Sequence, residues 1–141
     1  MKESNMPVYL EILVAIDCSP VDETLIEHVS MLARTLGSRL HLLHVVHSHT
    51  MDQERALREA ASLRLHRYQK ELAEEGIDVE VHLRSGEPEK EILEEMAEHH
   101  YDLLAIASHG HRLAERILLG SVSRTLRDKA DIPLLLVRSR E

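Results

Sequence analysis

Apolar residues along the chain switch repeatedly between two spacings. From Val8 to Ile16 the run Val-Tyr-Leu-Glu-Ile-Leu-Val-Ala-Ile is rich in strand formers and stops at the turn signal Asp17-Cys18-Ser19-Pro20. Beyond about Asp22, the positions Leu25, Val29, Leu32, Ala33 and Leu36 recur at the 3.6-residue period of one helix face, and Gly37 stands where a helix terminator belongs. Arg39 to Val46 predicts a second strand. Met51 to about Glu75 predicts a long helix with Leu57, Ala61, Leu65, Tyr68 and Leu72 on its buried face, closed by Gly76. Asp78 to Leu83 alternates as a short strand. Gly86-Glu87-Pro88 opens a third helix, where proline suits a first turn whose amides lack partners. Ile92, Leu93, Met96 and Ala97 form its apolar stripe. Tyr101 to Ala107 is a nearly continuous apolar run, the pattern of a strand covered on both faces. Ser108 to Leu119 reads as a loop, Gly120-Ser121 as the start of a last helix, and Pro133 to Arg138 as a final strand.

Strict strand–helix alternation implies a three-layer α/β/α domain over residues 1–141, with a five-stranded parallel doubly wound sheet and right-handed crossovers. Ligands of such sheets sit beyond the strand C-termini, where the strand order reverses. That rule points to Asp17, Cys18 and Ser19, to Val45 through His49, and to Ala107 through Gly110.

Composition narrows the function. With 43% hydrophobic and 30% charged residues in 141, the chain can build a core and is not of the disordered class. No apolar run approaches the ~20 residues of a membrane span. The first residues carry no basic-then-apolar export signal, so a cytoplasmic protein is expected. One cysteine excludes a disulfide framework and a four-cysteine zinc site. The net charge of -8 argues against general nucleic-acid binding, although residues 108–141 hold seven Arg/Lys against four Asp/Glu. Three tyrosines without Phe or Trp disfavour base-stacking platforms and flavin sandwiches.

Gly120-Ser121 is the most informative pair. The first amides of a helix lack internal partners and lie at the positive end of its dipole, so an anion, above all phosphate, fits there. Glycine allows close approach, and the serine hydroxyl caps the helix or donates to a phosphate oxygen. Gly110 stands at the other end of the same loop, with Ser108, His109, Arg112, Arg116, Ser123 and Arg124 as nearby donors. Taken alone, the pair also reads as a plain helix cap.

Over essentially its whole length the sequence resembles the universal stress protein family. Ile12-Leu13-Val14-Ala15-Ile16-Asp17-Cys18-Ser19 is similar to the family's first strand and Asp-Gly-Ser turn. Leu42-Leu43-His44-Val45-Val46 is similar to its second strand, and Gly86-Glu87-Pro88 to its entry into the third helix. The ATP-binding branch carries Gly, two residues, Gly, nine residues, then Gly with Ser or Thr. This chain has Ala107, two residues, Gly110, nine residues, then Gly120 and Ser121, within Ile117-Leu118-Leu119-Gly120-Ser121-Val122-Ser123. The resemblance implies a Rossmann-like fold of the adenine nucleotide alpha hydrolase type, ATP with Mg or Mn held through its phosphates, and a homodimer. Carried over by position, Ala15, Asp17 and Val45 would hold adenine and ribose, and Ala107 would flank the ribose. His109, Gly110, Gly120, Ser121, Val122 and Ser123 would surround the phosphates. The chain departs at Ala107, in place of the first glycine, and at Cys18, in place of the glycine after the aspartate.

Other features have blander readings. The eleven histidines would carry the formal charge from -8 to +3 if all were protonated. His41 and His44 cannot share a strand face, and His47 and His49 converge only in a loop. A zinc site built from these histidines is the weaker reading, because no carboxylate or cysteine partner is evident; the blander one is rim and surface residues. Cys18 beside Asp17 is read as an unreactive small residue. Glu87, Glu89, Glu91, Glu94, Glu95 and Glu98 are read as a solvated helix face. Pro133 to Arg138 has the character of an edge strand, for which pairing with a second copy is the economical cover.

No nucleophile elbow, Walker loop or dinucleotide fingerprint is present, and the acidic pattern of a phosphoacceptor receiver is missing. The expectation is therefore not an enzyme, beyond very slow ATP hydrolysis or autophosphorylation. It is an ATP-binding regulator in a stress response, acting on an unidentified protein target without nucleic acid or membrane insertion. The alternative is a dimeric stress adaptor that binds no nucleotide.

Overall fold

A computed structural model describes residues 9–108, 122 and 124–138. Its elements are β1 (Glu11–Ile16), α1 (Val21–Leu36), β2 (Arg39–Val46), α2 (Met51–Glu74), β3 (Asp78–Ser85), α3 (Pro88–Glu98), β4 (Leu103–Ser108), a helical stretch at 124–129 that we call α4, and β5 (Leu134–Arg138). The five strands form one sheet in the order β3-β2-β1-β4-β5, every pair parallel. The fold is the doubly wound α/β class expected from the alternation. No helix among the described residues is long and apolar enough to cross a membrane.

Because successive strand residues face opposite sides, the apolar runs feed two cores. Ile12, Val14, Leu40, Leu42 and Ala105 pack under Leu25 and Val29 of α1 and Leu65, Tyr68 and Leu72 of α2. Leu13, Leu43, Val45, Leu104 and Ile106 pack under Ile92 of α3 and Leu126 of α4. The β1 residues Ile12, Leu13 and Val14 are wholly buried. α1 ends as its sequence requires: Gly37 adopts φ 73°, and its N–H donates to the Ala33 carbonyl at 2.7 Å.

Several details differ from the pattern-based reading. β1 begins at Glu11 rather than Val8, and β5 begins at Leu134, after the proline that cannot donate to the ladder. Leu57 of α2 is exposed, because the buried stripe of that helix begins one turn later, at Ala61. Ala97 of α3 is exposed too.

The largest correction concerns the acidic face of α3. Glu95 is only 2% exposed. The Arg84 guanidinium, rising from β3, donates to Glu91 (2.9 Å), Glu95 (2.9 Å), Glu98 (3.1 Å) and Glu94 (3.4 Å). The Tyr101 hydroxyl donates to the other oxygen of Glu95 at 2.6 Å. Burial alone would raise the Glu95 carboxyl, but the hydrogen bonds from Tyr101 and Arg84 outweigh it and hold it below the ordinary range. This arginine clamp docks α3 on the sheet and so places the helix N-terminus beside the strand ends.

Arg84→Met should therefore destabilise the protein by about 3 kcal/mol at neutral pH, because it leaves the Glu95 carboxylate buried without its cation. A group held below its ordinary pKa stabilises above that pKa and loses the contribution as pH falls through the folded value. The deficit in urea unfolding should thus shrink on acidification, as Glu95 of the variant takes up a proton.

Candidate functional site

A cavity of about 810 Å³ opens at the C-terminal ends of β1, β2 and β4. The strand order explains its position. The chain leaves β1 toward β2 and β3, then crosses back to β4 on the other side of β1, so the following loops diverge and a crevice remains between them. Ala15 and Ile16 contribute from β1 with Asp17 and Cys18 of the turn after it, Leu43 through Val46 from β2 with His47 just beyond, and Ile106 and Ala107 from β4. The start of α3 supplies Glu87, Pro88, Glu89 and Ile92; Asp22, Leu57 and Val122 also line it among the described residues.

Of the residues singled out from the sequence, Ala15, Asp17, Val45, Ala107 and Val122 meet at this cavity. His109, Gly110, Gly120, Ser121 and Ser123 lie outside the described residues. His47 falls in the Val45–His49 segment that the switch-point rule indicated, whereas His44, Asp22 and the Glu87–Glu89 rim were not anticipated as lining. His44 is held by a 2.7 Å contact from its Nδ1 to the Ile16 carbonyl, which ties the ends of β1 and β2 together. His47 Nδ1 lies 3.1 Å from the Gly86 carbonyl. Gly86 itself has φ 142°, a conformation that strains any residue with a Cβ, and a Cβ there would also have to displace the flexible Glu91 side chain, 2.7 Å away. A glycine before a helix-opening proline was the sequence sign of that corner.

The turn after β1 is built from its own side chains. Ser19 donates to Asp17 Oδ1 from both its N–H (3.1 Å) and its hydroxyl (2.6 Å). The Asp17 N–H donates to Asp22 Oδ1 at 3.3 Å. Between them Cys18 takes φ 62°, the left-handed conformation that glycine adopts freely. The two departures from the family pattern thus differ in kind. Cys18 carries backbone strain, whereas Ala107 continues β4 in register with Val137 and carries none. Burial, reinforced by the charge of Asp22, pushes the Cys18 thiol up to about 11, so it is not a nucleophile at neutral pH.

Asp22 is the group with the largest consequence for the site's electrostatics. Its side chain is 1% exposed, and its Oδ2 has no hydrogen-bond partner among the described residues; the Arg64 guanidinium lies 3.9 Å away. Burial first, and the Asp17 carboxylate second, push it up to about 8. Around neutral pH this wall of the cavity therefore holds one buried carboxylic acid beneath the carboxylate of Asp17.

A doubly wound parallel sheet with an open crevice at its switch point defines the class, a Rossmann-like α/β domain. The chain belongs to the universal stress protein family, which it matches over residues 9–138. Universal stress protein MJ0577 of Methanocaldococcus jannaschii is 24% identical over 157 residues, spanning 94% of this chain and 97% of that protein. The solved structure of MJ0577 aligns with a TM-score of 0.79 at 27% identity, over 95% of this chain and 99% of the other. A universal stress protein from Archaeoglobus fulgidus, solved in complex with dAMP, aligns with a TM-score of 0.70 at 24% identity, over 92% and 98% of the two chains. One from Arabidopsis thaliana, with AMP bound, aligns with a TM-score of 0.72 at 21% identity, over 93% and 92%.

Asp22 generates a pH prediction. A carboxyl whose folded pKa is raised stabilises fully below its unfolded value, and that stability is lost as pH rises through about 8. Urea unfolding should show stability declining between about pH 4 and pH 8, and Asp22→Asn should flatten that decline. The variant should match the parent near pH 5 and exceed it by about 1 kcal/mol or more near pH 8.

Proposed function

We propose that the cavity binds an adenine nucleotide, ATP with Mg or Mn on its phosphates, and that occupancy switches the protein as a regulator in a stress response rather than as an enzyme. The observation that carries this reading is the chemistry of the described wall. Its apolar floor (Ala15, Ile16, Val45, Ile106, Ala107) suits a planar base, and its polar side chains are the carboxyls of Asp17, Asp22, Glu87 and Glu89 with the imidazoles of His44 and His47, whose Nδ1 atoms lie against backbone carbonyls. The ionised carboxylates among them suit hydrogen-bond donors such as ribose hydroxyls and an exocyclic amine and repel phosphate, while Asp22 keeps its proton around neutral pH. The phosphates are then left to Gly110, Gly120, Ser121 and Ser123, which the sequence sets among the basic residues of 108–141. The volume lies in the range of small-molecule sites, roughly 300–1,000 Å³. The nucleotides bound to the archaeal and plant relatives support the same ligand class.

The metal would be held through the phosphates, where it offsets their charge; the hydroxyls of Ser121 and Ser123 are the oxygen donors at hand from the chain. Ligand shifts the protein only by its differential affinity for two states, so the surface read by a partner must differ between the empty and filled forms. A homodimer fits the same reading: β5 is a sheet edge, and its Leu136 is 45% exposed. Leu136→Lys should shift the sedimentation mass from dimer to monomer, because edge lysines block strand pairing.

Mass spectrometry of the small molecule that copurifies should find an adenine nucleotide, and calorimetry with ATP and Mg should give a saturable isotherm. Gly120→Asp should abolish that binding through bulk and charge, and Asp17→Ala should weaken it about tenfold, the worth of one hydrogen bond to a charged group. Affinity no better than millimolar, unchanged by Gly120→Asp, would instead leave a dimeric adaptor that uses no nucleotide.

A further inference from the structure

Toward the N-terminal ends of the strands, away from the cavity, the α3-covered face of the sheet carries histidines and carboxylates that the nucleotide reading leaves unused. His41 projects from β2, and Glu80 and His82 from the neighbouring β3. The parallel register sets His41 opposite Glu80 and Leu43 opposite His82, so the two-residue repeat brings all three side chains to one face. His41 Nδ1 lies 3.2 Å from His82 Nε2, and Glu80 Oε1 lies 3.8 Å from each of those nitrogens. The point equidistant from three atoms so spaced is about 2.1 Å from each, the length of a zinc–imidazole or zinc–carboxylate bond. We propose that His41 Nδ1, His82 Nε2 and Glu80 Oε1 bind a zinc ion, with a fourth position open to water.

The surroundings are those of a ligand set held in place. His41 is 8% exposed, and its Nε2–H donates to Glu11 Oε1 at 2.6 Å. That bond fixes the tautomer, leaves the Nδ1 lone pair for the metal and supplies the carboxylate–histidine pair common around zinc. Arg39 donates to Glu80 Oε2 at 3.4 Å, which leaves Oε1 on the histidine side. The Tyr101 ring stands edge-on to His41, with centroids 5.0 Å apart, and closes the inner wall. Glu80 is exposed and His82 half-buried, so an ion enters from solvent. Two imidazoles and one carboxylate favour zinc over Mg or Ca, which take oxygen ligands.

Without metal, the His82 Nε2–H donates to His41 Nδ1. When zinc arrives, that proton passes through solvent to His82 Nδ1, and both rings ligate as neutral imidazoles. No redox partner is required. A neighbouring set, Glu95, Glu98 and His99, also lies close together, but Arg84 already holds both of its carboxylates.

The expectation is tested on the full chain, stripped by chelation and kept free of nucleotide. Calorimetric titration with Zn²⁺ should show a single equivalent bound at micromolar affinity or tighter. Co²⁺ in its place should give the visible absorption of a four-coordinate site. Glu80→Gln, at an exposed position that spares the fold, should weaken binding at least tenfold, and His82→Ala should abolish both signals. His66→Ala, on the exposed face of α2, should change neither. A parent chain that binds no tighter than the millimolar range, or a Co²⁺ spectrum that survives both Glu80→Gln and His82→Ala, would overturn the proposal.

Discussion

Burial of β1 on both faces and along both edges is the constraint from which the rest follows. Ile12, Leu13 and Val14 have no exposure, and the strand is paired with β2 on one side and β4 on the other. A strand so placed needs helices on both faces, which the two cores supply. It also forces the chain to leave in one direction and return on the other side. The crevice beyond Ile16 is the geometric residue of that crossing, and the turn at Asp17 lines it.

Strain is concentrated where that crevice begins. Cys18 in the left-handed region costs about 1–2 kcal/mol relative to a relaxed backbone. The conformation persists because its neighbours over-determine it: Ser19 grips Asp17 from two donors, and Asp22 accepts from the Asp17 N–H. The same bonds draw Asp22 into the interior, where burial keeps its proton. The backbone strain and the raised pKa therefore share a cause, a tight turn that must aim Asp17 outward while starting α1 three residues after Cys18.

The elements legible in the sequence are those set by local period and punctuation. β2 spans the predicted residues, and Gly37, Gly76 and Gly86 mark corners that do need positive φ. The switch point followed from alternation alone. What escaped was decided across the sheet. Glu95 looks solvated on a helical wheel, and only the height of Arg84 on β3 turns it inward. His41 looked partnerless because Glu80 and His82 are some forty residues away and meet it through strand register. Leu57 fell on the apolar stripe by period, yet it sits where α2 overhangs the crevice instead of the sheet.

Three elements reach both ends of the molecule among the described residues: β1, with Glu11 on His41 and Ala15 in the cavity, and, like it, β2 and α3. β2 carries His41 at one end and Val45 at the other, about 13 Å apart at 3.3 Å per residue and on the same face. α3 borders the cavity with Glu87–Ile92 and the histidine cluster with Glu95 and His99, the His99 ring lying 6.3 Å from that of His82. A strand paired on both sides cannot slide without breaking both ladders, so β1 and β2 are poor carriers of any change. A helix is held by its side chains, here Ile92, Leu93 and Met96 on the core with the Arg84 and Tyr101 bonds to its glutamates, and can tilt by trading those contacts. Communication between the ends, if a ligand at one is to alter affinity at the other, must therefore run through the seating of α3. By reciprocity it must act equally in both directions.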